Sequence, residues 1–317
     1  MKTALALNGN LRTFFMPTRD NPDKRVCDFL KDNIVSTDTD VYVCCDISDF
    51  YMDGTVYYVG DTIETTNNNG FRVYKNIKFI TIEIAREMII TRLNQLFSNI
   101  KVIEIVEKNT PESHPHYLDM KNCGYQGVAV ELLINQHNKI QKLKSLIEDS
   151  GIKYDFIFRT RFDFIHRDKL ILNKYKIEKN IVYVPGYEGN RDLCYDFYIF
   201  GEAETVLKCM NLYNELNFYK PIYAIRCPKC PLKFITVNTK CVHGTQLHDV
   251  SLSSETQLAR IFRNNKIIAE GSKMKGALYR YYPDSITKTA LEILPTDISG
   301  IKIVDYSASG EISSKYL

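Results

Sequence analysis

The stretch Asp155-Phe156-Ile157-Phe158-Arg159-Thr160-Arg161-Phe162-Asp163-Phe164 begins as a buried strand and ends in charged residues that alternate with apolar ones. An extended chain sends alternate side chains to opposite faces, so Arg159, Arg161 and Asp163 can project together from one side. Burying two guanidinium groups and a carboxylate is costly unless each finds a partner, so the set asks for a purpose. Two arginines can hold a diphosphate through bidentate hydrogen bonds, and one carboxylate can help hold a divalent cation that bridges those phosphates. The plain structural reading is an internal Arg to Asp ion pair that organises the fold.

A second set, Asn8-Gly9-Asn10-Leu11-Arg12-Thr13, directly follows the first apolar run. Gly9 in a strand-to-helix turn lets the backbone approach a ligand, and Arg12 can reach a phosphate. A third set is Cys227-Pro228-Lys229-Cys230 followed, ten residues later, by Cys241-Val242-His243. Two thiolates at that spacing form half of a zinc knuckle, and Cys241 with His243, or His248 in its place, can supply the other half. Four protein ligands leave no open position, so Zn²⁺ there would be structural; the alternative is four reduced, unconnected side chains. His114 and His116 sit in a Pro-containing connection and read as solvated loop residues. Asp38-Thr39-Asp40 precedes a strand rather than following one and reads as a turn or cap. Tyr183, Tyr187, Tyr195 and Tyr198 can stack on a sugar or base, but tyrosine serves ordinary packing equally well.

The elements that must position these residues follow from periodicity. Residues 3 to 8 form a strand, 22 to 35 a helix with apolar spacing at Val26, Phe29, Leu30 and Ile34, and Val41 to Cys45 a second buried strand ending at Asp46. Strand, helix and strand in this order suggest a parallel βαβ unit. An excursion at about 50 to 78, with strands at Thr55 to Val59 and Phe71 to Tyr74 around Asn67-Asn68-Asn69-Gly70, reads as a β-hairpin or lid. The βα rhythm then resumes with a helix at 83 to 98, a strand at 102 to 106 and, after a long connection at 108 to 125, a helix at 128 to 147 stopped by Gly151. Strands follow at 181 to 184 and 195 to 200, and helices at 202 to 217 and 254 to 263. The stretch from 219 to 250 reads as an insertion, and Ile301 to Val304 as a last strand.

Composition bounds the answer. The chain has 317 residues with 44% apolar and 25% charged, enough to bury a large core and too apolar for disorder. One large domain with a small appendage is the expectation at this length. The net charge is only +3, with no run of five or six basic residues, which argues against a grip on duplex DNA. No apolar run approaches the roughly 18 residues of a membrane span, and Thr3 to Leu7 is too short for a signal peptide. Nine cysteines, mostly single inside apolar segments, suggest reduced thiols and a cytoplasmic chain, with Cys27, Cys44, Cys45, Cys194 and Cys209 as small core residues.

Together, Ala4 to Phe14 with its Asn8-Gly9-Asn10-Leu11-Arg12-Thr13 turn, the strand opening Asp40-Val41-Tyr42-Val43, and Tyr154 to Asp163 with Arg159-Thr160-Arg161-Phe162-Asp163 resemble the glycosyltransferases of GT-A-like fold common in large DNA viruses and some bacteria. Asp196-Phe197-Tyr198-Ile199-Phe200-Gly201 is similar to that family's Asp-containing strand, and Ser254-Glu255-Thr256-Gln257-Leu258 to its acidic helix start. The resemblance spans about residues 3 to 265 in scattered blocks. It implies a nucleotide-sugar donor, UDP- or GDP-linked, a divalent Mn²⁺ or Mg²⁺ ion, and transfer to a hydroxyl on glycan or protein. The Asp-x-Asp metal motif of better-known GT-A enzymes stands here as Arg161-Phe162-Asp163. Two ways of neutralising the leaving diphosphate are therefore open, a cation on Asp163 or the Arg161 guanidinium itself.

Glycosyl transfer also needs a carboxylate, as base beside the acceptor hydroxyl or near the anomeric carbon, and Glu255, Asp196 and Asp192 are the candidates. A structural role competes for Glu255, because Ser254 to Gln257 spells a capping box. The expectation is thus an α/β protein with a GT-A-like, Rossmann-like, mostly parallel sheet flanked by helices over residues 1–283. A β-hairpin excursion, a Cys/His-containing insertion at 219–250 and a tail at 284–317 complete it. Asn8, Gly9 and Arg12 would hold the nucleotide, Arg159 and Arg161 the diphosphate, Asp163 the metal, and Asp196 and Glu255 the chemistry. The rival is a non-catalytic binding module on a degenerate sugar-nucleotide fold, using the Cys/His insertion for a protein or nucleic-acid partner. Convergence of Arg12, Arg161, Asp163 and Asp196 on one cleft discriminates the two.

Overall fold

In the segment Thr3–Asn10, strand β1, small and large apolar residues alternate, so Ala4 and Ala6 face one way and Leu5 and Leu7 the other, and all four are buried. The computed structural model describes residues 1–18, 21–60, 62–66, 77–106, 114–115, 117, 130–185, 196–214, 223–224, 234–235, 254–278, 302–306 and 312–316. After β1 come α1 (Val26–Asn33), β2 (Thr39–Asp46), β3 (Asp49–Met52), β4 (Thr55–Val59), β5 (Thr62–Thr66), β6 (Ile77–Ile80), α2 (Ile82–Leu96) and β7 (Ile100–Ile105). Then follow α3 (Val130–Asp149), β8 (Phe156–Arg161), β9 (Phe164–His166), β10 (Ile181–Pro185), β11 (Tyr198–Glu202) and α4 (Ala203–Cys209). The remainder is β12 (Tyr223–Ala224), β13 (Phe234–Ile235), α5 (Ser254–Asn264), β14 (Ile268–Ser272), β15 (Gly276–Leu278), β16 (Lys302–Tyr306) and β17 (Ile312–Tyr316).

Seven of these strands form one sheet in the order β14-β10-β11-β8-β1-β2-β7. Every neighbouring pair is parallel except those of β11, which runs antiparallel to both β8 and β10. The mostly parallel α/β sheet expected from the sequence is therefore present. Leu5, Leu7, Val41, Val43, Phe158 and Phe200 pack on one face against Val26 and Leu30 of α1 and Ile89 and Leu93 of α2. Ala4, Ala6, Cys44, Ile157 and Ile199 pack on the other against Ile140, Leu143 and Ile147 of α3, with Val206 of α4 and Leu258 and Phe262 of α5 completing it. Burying each large side chain contributes about 1.5–3 kcal/mol, and covering both faces explains why these strands read as continuous apolar runs.

The chain builds β1, β2 and β7 outward in one direction and then crosses back to place β8 on the other side of β1. The crevice where two parallel neighbours leave in opposite directions, at the carboxyl ends of β1 and β8, is where open α/β sheets take ligands.

The excursion is a hairpin of β3 and β4 closed by Asp53 and Gly54, both at positive φ (47° and 85°), the combination that two-residue hairpin turns demand. The strand expected at Thr55 to Val59 is β4; the turn expected at Asn67 to Gly70 and the strand at Phe71 to Tyr74 lie outside the described residues. β6 joins β4 in parallel, while β5 pairs in parallel with β16, which in turn pairs antiparallel with β17. The helix expected over 202 to 217 is the shorter α4, followed by turns to residue 214. Of the 219–250 insertion only the antiparallel pair β12 and β13 is described. Cys227, Cys230, Cys241, His243 and His248 lie outside the described residues, as do Cys194, Asp192 and the boundary at 283. Cys27, Cys44, Cys45 and Cys209 are buried, and burial pushes Cys27 and Cys44 up to about 12, so those two are unreactive at neutral pH.

Candidate functional site

β1 and β8 are in register, so Ala6 stands opposite Arg159 and Asn8 opposite Arg161, with all four on the face covered by α3. Arg159 is among the most buried side chains of the molecule. Its Nε donates to Asn8 Oδ1 at 2.6 Å and its Nη1 to the backbone carbonyl of Asp196, which clamps the first strand to the segment entering β11. Burial lowers its pKa to about 10, opposed by the Asp196 carboxylate, so it stays charged at neutral pH. Arg159 Nη2 and Asn8 Nδ2 are buried without a hydrogen-bond partner among the described residues.

Arg161, two residues on, is partly exposed. It donates from Nε to Asp163 Oδ1 at 2.9 Å and from Nη2 to Asp163 Oδ2 at 2.7 Å, while Nη1 stands 3.7 Å from Asp196 Oδ1. Its guanidinium also lies over the Phe197 ring, 6.0 Å from the centroid. Asp163 reaches this position from the turn after β8, because Phe162 between them is buried edge-on against Phe14 at 4.8 Å. Asp196 is buried and also accepts from the Gln136 amide of α3.

On the other side of β1, Gly9 has φ +126°, a conformation that L side chains rarely adopt, although a Cβ would have room at 3.8 Å from Phe162. Asn10 Nδ2 donates to Ser48 Oγ at 3.1 Å, and its Oδ1 accepts from the Arg12 backbone N–H at 2.7 Å. The Arg12 side chain turns to Asp49 at the start of β3, with Nε 2.6 Å and 2.8 Å from the two carboxylate oxygens. Asp46, which ends β2 opposite Asn10, holds a buried ion pair with Lys139 of α3.

Arg161, Asp163 and Asp196 thus meet directly, Arg159 and Asn8 support them from below, and Arg12 stands at the same sheet edge on the β2 side. Glu255 lies in the first turn of α5, and its side chain is outside the described residues. Asp40 lies at the opposite end of the sheet and, with Thr39, belongs to β2 rather than to a turn before it, because it pairs with Ala4 of β1; it accepts from Tyr154 and Lys101. His114 corrects an expectation: it is buried, because the Tyr213 ring from the turns after α4 packs edge-on to it at 4.9 Å, while His116 lies outside the described residues.

Sequence reasoning missed the wall that α3 supplies. Gln136, His137, Asn138 and Lys139 break the apolar face of this helix, and the last three are buried. Burial lowers His137 to about 3, so it is neutral. The signal was present as a run of five polar residues, Asn135 to Lys139, inside an amphipathic helix, but its partners Asp46 and Asp196 lie too far away in sequence to be read from it.

The resemblance implies a divalent cation at Asp163. Both Asp163 oxygens accept from Arg161, and no group of three His, Cys, Asp or Glu side chains that could hold a metal gathers among the described residues. As folded, the donor set does not fit a metal. No helix among the described residues is long and apolar enough to cross a membrane.

No family model and no curated protein matches the sequence. Among solved structures, the crystal structure of mouse xyloside xylosyltransferase 1 in its apo form is similar at 9% identity and a TM-score of 0.27, over 67% of this chain and 71% of that one. A likeness at that level carries no argument for activity.

Proposed function

We propose that the chain is a glycosyltransferase that takes a nucleoside-diphosphate sugar, UDP- or GDP-linked, and moves the sugar to a hydroxyl of a glycan or protein. The observation that supports this reading is the meeting of Arg161, Asp163 and Asp196 at the switch point between β1 and β8, beside Asn8 and Gly9. In such a transfer the bond from the anomeric carbon to the diphosphate oxygen breaks, and its electron pair leaves with the diphosphate. The acceptor oxygen forms the new bond to that carbon, and its proton passes to a carboxylate. Asp196 takes this proton, and Arg161 faces the charge that develops on the leaving group. The glycine backbone at Gly9 lines the nucleotide side, with Arg12 beyond it and the buried Asn8 supporting the strand end beneath. Arg159 works as a positioning residue, since its hydrogen bonds go to Asn8 and Asp196. Glu255, in the first turn of α5, remains the second candidate carboxylate.

Thermal-shift measurements with UDP, GDP, CMP and their common sugar conjugates test this. A ligand at about 100 times its Kd adds about 2.7 kcal/mol, a shift of a few degrees for this chain length. One nucleotide class should raise Tm, and Asp196→Asn should keep that shift while abolishing sugar transfer. Absence of any nucleotide-induced shift overturns the reading.

A further inference from the structure

The guanidinium of Arg161 fills a socket built for a cation. Asp163 grips it with both oxygens at 2.7 and 2.9 Å, Asp196 stands 3.7 Å from its third nitrogen, and the face of Phe197 covers it. We infer that Arg161 takes the place of a divalent metal in this site and that nucleotide-diphosphate binding here is metal-independent. The inference rests on the donor reading above and deepens it.

Each Asp163 oxygen already gives a lone pair to a guanidinium N–H, so Mg²⁺ at about 2.1 Å on a remaining lone pair would lie beside that cation. The pairing is set locally, because Arg161 and Asp163 flank Phe162, whose buried ring against Phe14 fixes the turn that presents one to the other. The next carboxylate, Asp196, already accepts from Gln136 and faces the same guanidinium. A divalent ion on either carboxylate would sit against a fixed positive charge. A planar guanidinium, by contrast, matches two phosphate oxygens at once, and Asp163 and Phe197 hold it at the sheet edge where a diphosphate would arrive.

The test is a thermal-shift titration of UDP and of GDP in EDTA, in Mn²⁺ and in Mg²⁺, on the wild-type chain and on Arg161→Ala, Arg161→Lys and Asp163→Asn. The expected result is one nucleotide with the same apparent Kd in EDTA as in either metal. Arg161→Ala should weaken it by about tenfold or more, the loss of a charge-assisted bond, and Arg161→Lys should restore only part of that. Asp163→Asn should keep the nucleotide shift in EDTA, because Phe197 still covers the guanidinium and the amide oxygen can still accept one of its bonds. A wild-type shift that needs Mn²⁺ or Mg²⁺ and vanishes in Asp163→Asn overturns this inference while leaving the donor reading intact. No shift under any condition overturns both. If Arg161→Ala fails to fold, the EDTA comparison on wild type and Asp163→Asn decides alone.

Discussion

Arg159 and Arg161 stand two residues apart on one strand and face the same helix, yet the first is 2% exposed and the second has 21% of its side chain in solvent. Their environments assign them different work. Removing Arg159 leaves Asn8 Oδ1 and the Asp196 carbonyl without its hydrogen bonds, at about 1–3 kcal/mol for each buried group. Arg159→Met should therefore lower unfolding stability by roughly 3 kcal/mol in urea titrations, whereas Arg161→Ala should stay within about 1 kcal/mol, as expected of a partly exposed ion pair. Equal losses in the two variants would place Arg161 in the scaffold. The same-face relation of the two arginines was legible from strand alternation alone. Their difference in burial was not, because it depends on Asn8 and Asp196, 151 and 37 residues away.

β11 is the one antiparallel strand of the main sheet, and it brings Asp196 to the carboxyl end of β8 instead of the far edge. Its close fit beside β10 depends on Gly201, where a Cβ would lie 2.8 Å from the Ile181 carbonyl oxygen and 3.4 Å from Val182 Cα. Backbone atoms cannot swing aside as a side chain can. Gly201→Ala should cost about 1–3 kcal/mol, read as a lowered Tm, and should reduce any nucleotide-induced shift by disturbing Asp196. An unchanged Tm would show that β10 and β11 can separate without cost. α3 divides its labour along its length: Ile140, Leu143 and Ile147 pack on the small residues Ala4 and Ala6, and the preceding turn carries Gln136 and Lys139 into the site.

At the scale of the molecule, two histidines are enclosed as neutral rings. His137 lies between α3 and the sheet, and His166 is ringed by Phe158, Phe164 and Tyr198 with its Nε2 2.9 Å from Thr160 Oγ1. Burial lowers both to about 3, against an ordinary 6.5. Between those values the unfolded chain binds protons that the folded chain refuses, so stability is full above pH 6.5 and falls as pH drops. Each histidine contributes a slope of about 1.4 kcal/mol per pH unit. Urea midpoints at pH 7, 6 and 5 should decline accordingly, and His166→Leu should roughly halve the decline between pH 6 and 5. A flat profile would mean that the rings are hydrated. A late strand also returns to an early one, since β16 pairs in parallel with β5 across residues 302–306 and 62–66.

The sequence by itself determined the layered α/β class, buried strands at 3–8, at 41–45 and from about residue 155, and the group of residues that would occupy their carboxyl ends. Those features depend on periodicities of two and 3.6 residues, which are local and therefore readable. Only the tertiary structure decided that Asp163 closes onto Arg161, that Asp49 takes Arg12, and that α3 reaches Asp46 and Asp196. Each of those pairings is set by strand order, register or a turn held by a distant ring. A cation and a carboxylate separated by up to 93 residues carry no mutual mark in the chain until folding brings them together.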